Sequence, residues 1–247
     1  MVRTHLISGK NWLEKQKSWT EEYKGLEMTE QMIKRLFPDT RNVDAVVSAI
    51  DQYKDKFGLN TDLRLGHFLA QVREEVGSEF KVLRENLNYK ETSVLKMWPK
   101  RFTKEDAERY ARDEDTPVAN QEAIANLAYG NRLGNGAPDS DGDGDRDKDD
   151  DGFKYRGAGC LQITGKSNFE EVQKRCVRYA GKEMDPDTLE GFVVFGFAYW
   201  MQHDLYRLAD KGKSDSVVDS ITAKINYHTH SYANRVAHFK KIKDIIA

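Results

Sequence analysis

The stretch LRLGHFLAQVREEV, residues 63–76, carries the pattern that decides the fold. Its apolar residues recur three and four positions apart, at Leu65, Phe68, Leu69, Val72 and Val76. That spacing puts them on one face of a helix, so the stretch predicts an amphipathic helix packed against a core. Thr61 is a suitable N-cap for this helix, and Gly77 is a suitable C-terminal stop.

The rest of the chain repeats this helical periodicity. A helix predicted over residues 43–57 begins after Asn42, a suitable N-cap, and ends before Gly58. Further helices are predicted over residues 104–112, 119–128, 167–180, 188–207, 215–225 and 231–245. Alternating apolar residues are scarce, and CLQIT at 160–164 is the best candidate for a short strand. The sequence therefore predicts a mainly α fold with little β structure.

The composition predicts one folded domain without a membrane span. Hydrophobic residues make up 38% of the 247 residues, which is enough to bury one core. The most apolar run, GFVVFGFAYWM at 191–201, is shorter than the roughly 20 residues that cross a bilayer. The first residues contain no continuous apolar segment like that of a signal peptide. We expect a protein made in the cytoplasm, with an N-terminal extension at 1–27 and one compact domain at 28–247.

Charge is unevenly distributed along the chain. Residues 139–151 hold eight Asp against one Arg and one Lys, a charge of −6, so the formal total of −2 leaves +4 on the remainder. That mild basic excess suits a weak attraction to anionic polymers and falls short of a nucleic-acid footprint. The two cysteines, Cys160 and Cys176, form no disulfide framework and are predicted to be reduced, buried thiols.

Two adjacent glutamates stand at the end of the helix predicted over 63–76. Glu75 follows His67 and Gln71 in four-residue steps, so the three share a polar face beside the apolar stripe. Glu74 lies about 100° round the helix, where it is expected to pair in solvent with Arg73 or with Lys81. On helix position alone, a solvated surface charge fits both glutamates at least as well as a functional role.

A third glutamate, Glu85, follows in the segment ENLNY, residues 85–89. Cleavage of a glycosidic bond needs one protonated carboxyl at the leaving oxygen and one ionised carboxylate across the sugar. Desolvation against an apolar helix face keeps a carboxyl protonated, which suits Glu75 as the acid. The hydrogen-bonding neighbours of Glu85 favour its ionised form, which suits a base. Many proteins contain two such carboxylates, so the pair alone identifies no enzyme.

Six ordered stretches point to a known family. They are HFLAQVREEVGSEF and RENLNY within 67–89, MWPKRF at 97–102, ANLAYGNRLGNG at 125–136, FKYRGAGCLQITGKSNF at 153–169 and ITAKINYHTHSYANRVAHF at 221–239. Together they resemble the family 19 glycoside hydrolases, and among these the chitinase-like endolysins of bacteriophages. The most specific stretch is YRGAGCLQITGKSNF, because the family repeats the pattern Arg-Gly-x-Gly-x-x-Gln-x-Thr-Gly. The resemblance runs from about Met28 to Phe239.

The resemblance implies a lysozyme-like helical fold with a cleft between two lobes. It also implies inverting hydrolysis of β-1,4-linked N-acetylhexosamine polymers, with Glu75 as general acid and Glu85 as general base. Such a pair stands about 6.5–9.5 Å apart to admit the attacking water. The residues from Glu74 to Ser78 depart from the family's His before the acid and Ser-Gly-Gly after it. Glu74 is the alternative acid, because an alignment anchored on ENLNY has a different register and would place the acid at Val76.

Substrate-binding residues follow from the same resemblance. Gln162 and Thr164 match the Gln-x-Thr that lines the family's cleft and are expected to bind N-acetyl groups. Asn226 matches the asparagine of the family's Ile-Asn-Gly-Gly, whose two glycines are replaced here by Tyr227 and His228.

The roles of three further residues are implied less specifically by the family resemblance. Arg156 is expected near the catalytic carboxylates, and Tyr129 and Asn131 are expected in the cleft. The family's second arginine in this region is Ala158 here. For all of the implied substrate-binding residues except Gln162 and Asn226, a hydrogen bond that merely stabilises a loop is an equal alternative.

The run DSDGDGDRDKDD, residues 139–150, fits a twelve-residue calcium loop. Its acids alternate, and Gly144 falls at the sixth position, where the sharp turn requires glycine. The predicted ligands are Asp139, Asp141, Asp143, Asp150 and, through its backbone carbonyl, Asp145. The ion would be structural, in an insertion at 137–152, and no cofactor is expected for catalysis. The alternative is a solvated, self-repelling acidic loop.

Together these features predict an endolysin of the muramidase type. It would cleave the β-1,4 bond between N-acetylmuramic acid and N-acetylglucosamine in peptidoglycan and so lyse the bacterial cell wall. One alternative is the same chemistry on chitin, and another is a catalytically inactive module that binds wall glycans. The expected partner is a glycan strand, and we expect a monomer that neither binds nucleic acid nor inserts into a membrane.

Overall fold

The computed structural model describes residues 25–246, and over this range the fold is mainly helical, as predicted. The helices are α1 Gly25–Leu36, α2 Val43–Asp51, α3 Asp62–Val76, α4 Glu91–Met97, α5 Lys104–Tyr110, α6 Gln121–Tyr129, α7 Asp151–Lys154, α8 Lys166–Arg175, α9 Leu189–Gln202, α10 Leu205–Ala209, α11 Asp215–Asn226 and α12 Tyr232–Ile242. A π-helical turn, Cys176–Ala180, continues α8. Within the described range, β pairing is limited to two isolated bridges.

The central helix α3 begins and ends where its sequence predicts. The Thr61 hydroxyl accepts a hydrogen bond from the Arg64 amide at 3.2 Å. Gly77 ends the helix at a φ of +74°, in the left-handed region that glycine enters without strain. Helix α2 likewise follows its predicted N-cap, because the Asn42 side chain accepts from the Ala45 amide. Capping residues act within a few positions of the helix end, so they can be recognised in the sequence.

Two predicted helices are shorter or divided. Helix α2 ends at Asp51 rather than at residue 57, because the Tyr53 amide bonds three residues back to Ile50 and the chain continues in turns. The helix predicted over 188–207 is divided into α9 and α10 by Asp204, whose φ is +56°. The sequence patterns do not predict α1, α4 or α7. Helix α1 crosses the expected domain boundary at residue 28, and the predicted extension lies outside the described residues up to residue 24.

The strand predicted at CLQIT is wrong. Ala158 and Ile163 exchange both backbone hydrogen bonds, at 3.0 and 2.8 Å, which closes the segment into a tight loop. Gly159 and Gln162 reverse the chain with φ values of +70° and +50°. Cys160 and Ile163 of this loop are buried in the core. The alternating pattern therefore reflects a loop packed on the core and not a pleated strand.

Buried side chains form two hydrophobic clusters, in agreement with the lysozyme-like, two-lobed prediction. The large lobe contains α1 to α3 and α8 to α12. The small lobe contains α4 to α6, with a cluster that runs from Leu87 to Ala128. The chain passes from the large cluster to the small one between Leu83 and Leu87, and it returns between Phe153 and Tyr155. Residues at these two crossings lie on the boundary between the lobes.

The polar face of α3 is internal, whereas the sequence predicts it beside the core. His67 and Gln71 are fully buried. The His67 ring stacks on Phe239 with centroids 4.0 Å apart, and its Nε2 lies 2.9 Å from the Gly212 carbonyl oxygen. Gln71 donates a hydrogen bond to the Thr222 hydroxyl at 3.1 Å. Helices α11 and α12 therefore cover a row of polar side chains that leads to Glu75.

Acidification is expected to destabilise the protein through His67. Burial lowers the pKa of His67 from 6.5 to about 4, against a smaller opposing effect of the Gly212 carbonyl. Between these values the unfolded chain binds the proton and the folded protein does not, so the free energy of unfolding falls with falling pH, by about 3 kcal/mol in all. Denaturant unfolding across this pH range measures the loss.

A matched pair of variants isolates this effect. His67→Gln cannot titrate, so its stability is expected to depend less on pH than that of the wild type. The exposed His230 provides the control, because His230→Gln removes a histidine that is not buried. Equal pH dependence in wild type and His67→Gln would contradict the prediction.

Both cysteines are free and buried, as the sequence predicts. Burial raises the pKa of the Cys176 thiol to about 12. None of the helices between residues 25 and 246 combines the length and apolar character needed to cross a bilayer.

Candidate active site

Glu75 lies on the last turn of α3, and its carboxylate contacts a buried arginine of α12. Arg235 Nη2 stands 2.6 Å from Glu75 Oε1, and the Arg235 side chain is 2% exposed against 18% for Glu75. The same guanidinium donates to Gln71 Oε1 at 2.9 Å and to Ser231 Oγ at 3.1 Å. Three hydrogen bonds in different directions fix the guanidinium, because its donors form a rigid fork. Glu75 thus meets a cation, where the sequence predicts apolar surroundings.

Glu74 also contacts α12, but through residues other than Arg235. His238 Nε2 lies 3.0 Å from Glu74 Oε2, and Asn234 Nδ2 donates to Oε1 at 3.3 Å. Lys81, its expected partner in solvent, pairs with Glu79 at 2.5 Å. The solvent pair predicted for Glu74 is therefore replaced by contacts with α12.

Glu85 lies on the crossing between the lobes, and donors hold both of its carboxylate oxygens. The Tyr129 hydroxyl donates to Oε1 at 2.5 Å, and the Gly157 amide donates to Oε2 at 3.1 Å. In return, the Glu85 amide donates to the Gly157 carbonyl at 2.9 Å. Helix α6 and the loop before Ala158 therefore position this carboxylate from two sides.

Tyr129 is held in an aromatic cluster of the small lobe. Its ring meets Trp98 edge-on with centroids 6.2 Å apart, and Trp98 in turn contacts Tyr89 at 5.7 Å. Burial raises the pKa of the Tyr129 hydroxyl well above its ordinary value, and the charge of Glu85 raises it further. The hydroxyl therefore stays protonated and donates to Glu85. The family resemblance predicts Tyr129 in the cleft, and the structure brings it against Glu85, the predicted base.

The loop that follows Gly157 surrounds Glu85 closely. A Cβ atom added at Gly157 would lie 3.1 Å from Glu85 Cβ and 3.0 Å from Gln162 Oε1. Gln162 Nε2 also donates to the Gly159 carbonyl at 3.1 Å, and the Thr164 hydroxyl donates to the Gln162 carbonyl at 3.4 Å. The structure therefore groups Gln162 with Glu85. Gln162 has a left-handed φ of +50°, a conformation that is uncommon outside glycine and is found more often at functional sites.

Arg156 lies at the second crossing between the lobes. Its guanidinium stacks over the Phe153 ring at 3.7 Å from the centroid, and Nη1 donates to the Phe153 carbonyl at 2.9 Å. Burial lowers its pKa, as does the nearby charge of Arg84, whereas Asp187 and Glu85 act in the opposite direction. Arg156 thus lies within electrostatic range of Glu85, and its hydrogen bond to the backbone also fits the loop-stabilising alternative.

The last two predicted substrate residues lie on exposed turns. Asn131 follows α6 with a φ of +55°, and its amide donates to the Gly136 carbonyl at 2.6 Å. Asn226 ends α11, and its carbonyl accepts from the Thr229 amide at 3.3 Å. Both side chains are exposed to solvent. Among the described residues, no hydrogen bond joins either side chain to Glu75 or to Glu85.

Comparison with known proteins decides the family. No family model matches the chain. A glycosyl hydrolase family 19 domain-containing protein of Haemophilus influenzae is 31% identical to it over 204 residues, which cover 81% of this chain and 87% of that protein. This chain belongs to glycosyl hydrolase family 19. Membership places the protein among the glycoside hydrolases, so the two glutamate networks are the candidate catalytic centre of a family 19 enzyme.

Arg235 is the residue of this family 19 site that the sequence analysis misses. It lies on the buried side of α12 with Phe239, four residues later, and with Ile242. An arginine on an apolar helix face is rarely buried without an acidic partner. The helical spacing of Arg235 with Phe239 and Ile242 is the one signal in the sequence that could have revealed a buried arginine. The partner, Glu75, is 160 residues away along the chain.

The acidic loop of this family 19 protein brings carboxylates within reach of one ion. Two groups have oxygens within 4.8 Å of one another, and Asp143 belongs to both: Asp139, Asp141 and Asp143, and Asp143, Asp145 and Asp147. Repulsion from Asp143 raises the pKa of Asp145, with desolvation and Asp147 contributing further. The loop therefore concentrates negative charge, which both the calcium loop and the solvated acidic loop would show.

Asp150, a predicted ligand, belongs to neither of these two acidic groups. It is fully buried, and its oxygens accept hydrogen bonds from the amide and hydroxyl of Ser140. It also accepts from the Asp147 amide at 3.2 Å and from Asn126 Nδ2 at 3.3 Å. Asn126 belongs to α6, and its Nδ2 donates at 2.7 Å to the Asp147 carbonyl as well. Asp150 therefore connects the loop to the small lobe, and Asp147 completes the second acidic group.

Proposed function

We propose that this family 19 protein is an endolysin that hydrolyses the β-1,4 bond between N-acetylmuramic acid and N-acetylglucosamine in peptidoglycan. The observation that carries the proposal is that fixed donors hold the carboxylates of two glutamates, the predicted acid and the predicted base. Glu85 accepts two hydrogen bonds on the boundary between the lobes, and Glu75 is paired with a buried arginine. Inverting hydrolysis uses two carboxyl groups, one as the acid and one as the base.

Glu85 acts as the general base in this scheme. It must be ionised to take a proton from water, and the hydrogen bonds from Tyr129 and Gly157 stabilise a negative charge. These donors also hold the carboxylate in one orientation. The water that loses its proton attacks the anomeric carbon from the face opposite the leaving group, so the product has inverted configuration.

Glu75 acts as the general acid. Its carboxyl donates a proton to the glycosidic oxygen as the bond to the anomeric carbon breaks. The carboxylate that forms is then stabilised by Arg235, which already stands at hydrogen-bond distance. Because the guanidinium is held by Gln71 and Ser231, it need not reorganise during the proton transfer.

The glycan is proposed to bind across the boundary between the lobes. Gln162, beside Glu85, and Thr164 next to it are proposed to bind N-acetyl groups, with Arg156 close by. Asn226 and Asn131 are proposed to bind the strand from the two exposed turns. The excess of positive charge outside the acidic loop favours an anionic polymer such as peptidoglycan over neutral chitin.

Product analysis tests the bond and the stereochemistry together. Purified peptidoglycan and N-acetylglucosamine oligomers are digested in parallel, and the products are reduced and analysed by mass spectrometry. Muramidase action leaves N-acetylmuramic acid at the new reducing end, and anomeric NMR of fresh digests is expected to show the α-anomer first. Cleavage of the oligomers alone would indicate a chitinase. Binding to peptidoglycan with no cleavage of either substrate would indicate an inactive wall-binding module.

We also propose that the acidic loop binds a structural calcium ion. The donor set supports this, because hard carboxylate oxygens are the ligands that calcium prefers. The two acidic groups share Asp143, so this residue is proposed as the central ligand, with Asp139, Asp141, Asp145 and Asp147 around it. Asp150, predicted as a ligand, accepts hydrogen bonds from the loop and shapes the site.

Calcium is expected to raise the melting temperature. At a free concentration about 100 times Kd, binding adds about 2.7 kcal/mol to the free energy of unfolding, or about 5–10 °C in a chain of this size. Asp143→Asn is expected to abolish most of the shift. Asp149→Asn removes the same charge from the same loop but lies in neither acidic group, so it should retain the shift. Identical melting curves with calcium and with chelator would contradict the site.

A further inference from the structure

The turn that follows α11 exposes an aromatic ring. Tyr227 is 71% exposed, more than Met97, Val118, Leu133 and Val177, the other exposed large hydrophobic residues of the described range. A single exposed apolar side chain is common on a protein surface and by itself indicates nothing. The position and rigidity of this residue set it apart.

The backbone of Tyr227 is held in place while its ring is left free. The Tyr232 hydroxyl donates to the Tyr227 carbonyl at 3.1 Å, and the Thr229 amide donates to the Asn226 carbonyl at 3.3 Å. The Tyr227 ring meets the His228 ring edge-on, with centroids 5.2 Å apart and planes at 88°. Because the two rings are nearly perpendicular, the histidine covers at most one face of the tyrosine ring, which is 71% exposed.

A continuous series of contacts connects this turn to Glu75. The Thr229 hydroxyl lies 2.8 Å from the Ser231 hydroxyl, which accepts from Arg235 Nε at 3.1 Å. Arg235 Nη2 then reaches Glu75 at 2.6 Å. The turn therefore lies at the C-terminal end of α3, beside the proposed acid.

A second contact independently joins α11 to α3. Thr222, one turn before Asn226, accepts a hydrogen bond from Gln71, which lies one turn before Glu75. The end of α11 and the end of α3 are thereby brought to the same edge of the large lobe. An aromatic ring on this edge is placed to meet a glycan that reaches the proposed acid.

We propose that Tyr227 is a stacking platform for one sugar ring of the bound glycan and determines how tightly long strands bind. The proposal rests on the proposed function. The axial C–H groups of a β-linked N-acetylhexosamine form an apolar face that packs on an aromatic face, while the tyrosine hydroxyl stays in water. Tyrosine offers this area at a low cost in conformational entropy. The ligand class is a strand of N-acetylhexosamines long enough to extend beyond the cleaved bond.

Kinetics on purified peptidoglycan test the platform. Tyr227→Ala is expected to raise the apparent KM about tenfold with little change in kcat, because stacking remote from the reacting bond contributes to binding. Tyr227→Phe and Tyr227→Trp retain an aromatic face and are expected to stay close to the wild type. The exposed His230 lies on the same turn, and His230→Ala serves as the matched control that should leave KM unchanged.

A binding measurement separates this inference from the proposed function. In a Glu75→Gln background, adsorption to purified peptidoglycan is expected to weaken about tenfold with Tyr227→Ala and to recover with Tyr227→Phe. Unchanged KM and adsorption in Tyr227→Ala, with cleavage intact, would overturn the platform and leave the proposed function standing. Equal losses in the Ala and Phe variants would assign the effect to the hydroxyl and also overturn stacking. A wild type that neither binds nor cleaves peptidoglycan would overturn both proposals.

Discussion

Replacement of Glu85 or of Glu75 by glutamine is expected to lower kcat on peptidoglycan by about 10²–10⁴-fold. Glutamine has nearly the same shape as glutamate but can neither accept a proton as a base nor donate one as a carboxylic acid. In Glu85→Gln, the amide oxygen can still accept the Tyr129 hydrogen bond, so the small lobe should retain its packing. Release of reducing ends measures kcat, and thermal unfolding confirms that each variant is folded.

Glu74→Gln is the matched control for this experiment. Glu74 precedes Glu75 on the same helical turn and also contacts α12, through His238 and Asn234. Its replacement removes the same charge from nearly the same place and is expected to leave kcat close to the wild-type value. An inactive Glu74→Gln beside an active Glu75→Gln would make Glu74 the acid. Wild-type activity in all three variants would refute the catalytic assignment.

Loss of the buried guanidinium is expected to have the largest effect on stability. Arg235→Ala should lower the free energy of unfolding by about 3–5 kcal/mol, because it leaves the Glu75 carboxylate without its cation and removes one of the two donors to Gln71 Oε1. It should lower kcat as well, since the carboxylate that forms during proton donation loses its cation. Denaturant unfolding and initial rates of peptidoglycan hydrolysis measure the two effects.

Two further variants test the physical cause of this loss. The double variant Arg235→Met with Glu75→Gln is expected to recover part of the stability, because no uncompensated charge is left near the core. Lys174→Ala breaks an ion pair with Glu171 in which the lysine side chain is 70% exposed, and it should cost less than about 1 kcal/mol. An Arg235→Ala protein as stable as Lys174→Ala would contradict the prediction.

Local signals predicted much of the helical framework. The side chains of Thr61 and Asn42 cap their helices through amides three residues ahead, and Gly77 ends α3 by its own backbone conformation. Each of these effects acts within one turn of helix, so the sequence window that contains it suffices. The two-lobed arrangement and the grouping of Tyr129 and Gln162 with Glu85 depend on distant contacts, and here the family resemblance supplied what periodicity could not.

Other features of the site depend on tertiary contacts alone. The apolar stripe of α3 indicates which face is buried, but not that α11 and α12 also cover His67 and Gln71. The pairing of Glu75 with Arg235 joins residues 160 positions apart. The CLQIT segment has the alternation of a strand, yet two left-handed residues, Gly159 and Gln162, close it into a loop. The first two features join residues far apart in the chain, and the third depends on backbone conformations that alternation of apolar residues does not reveal.

The hydrogen bond between the Glu85 carboxylate and the backbone of Gly157 limits which substitutions this part of the site can accept. One of its oxygens is held by the amide of Gly157, and every residue except proline keeps that donor. A side chain at position 157 would lie 3.0–3.1 Å from Gln162 Oε1 and Glu85 Cβ, so these two side chains would have to shift to admit it. Laboratory evolution of new glycan preferences should therefore diversify the outer turns at 131 and 226–230 and spare residues 155–163.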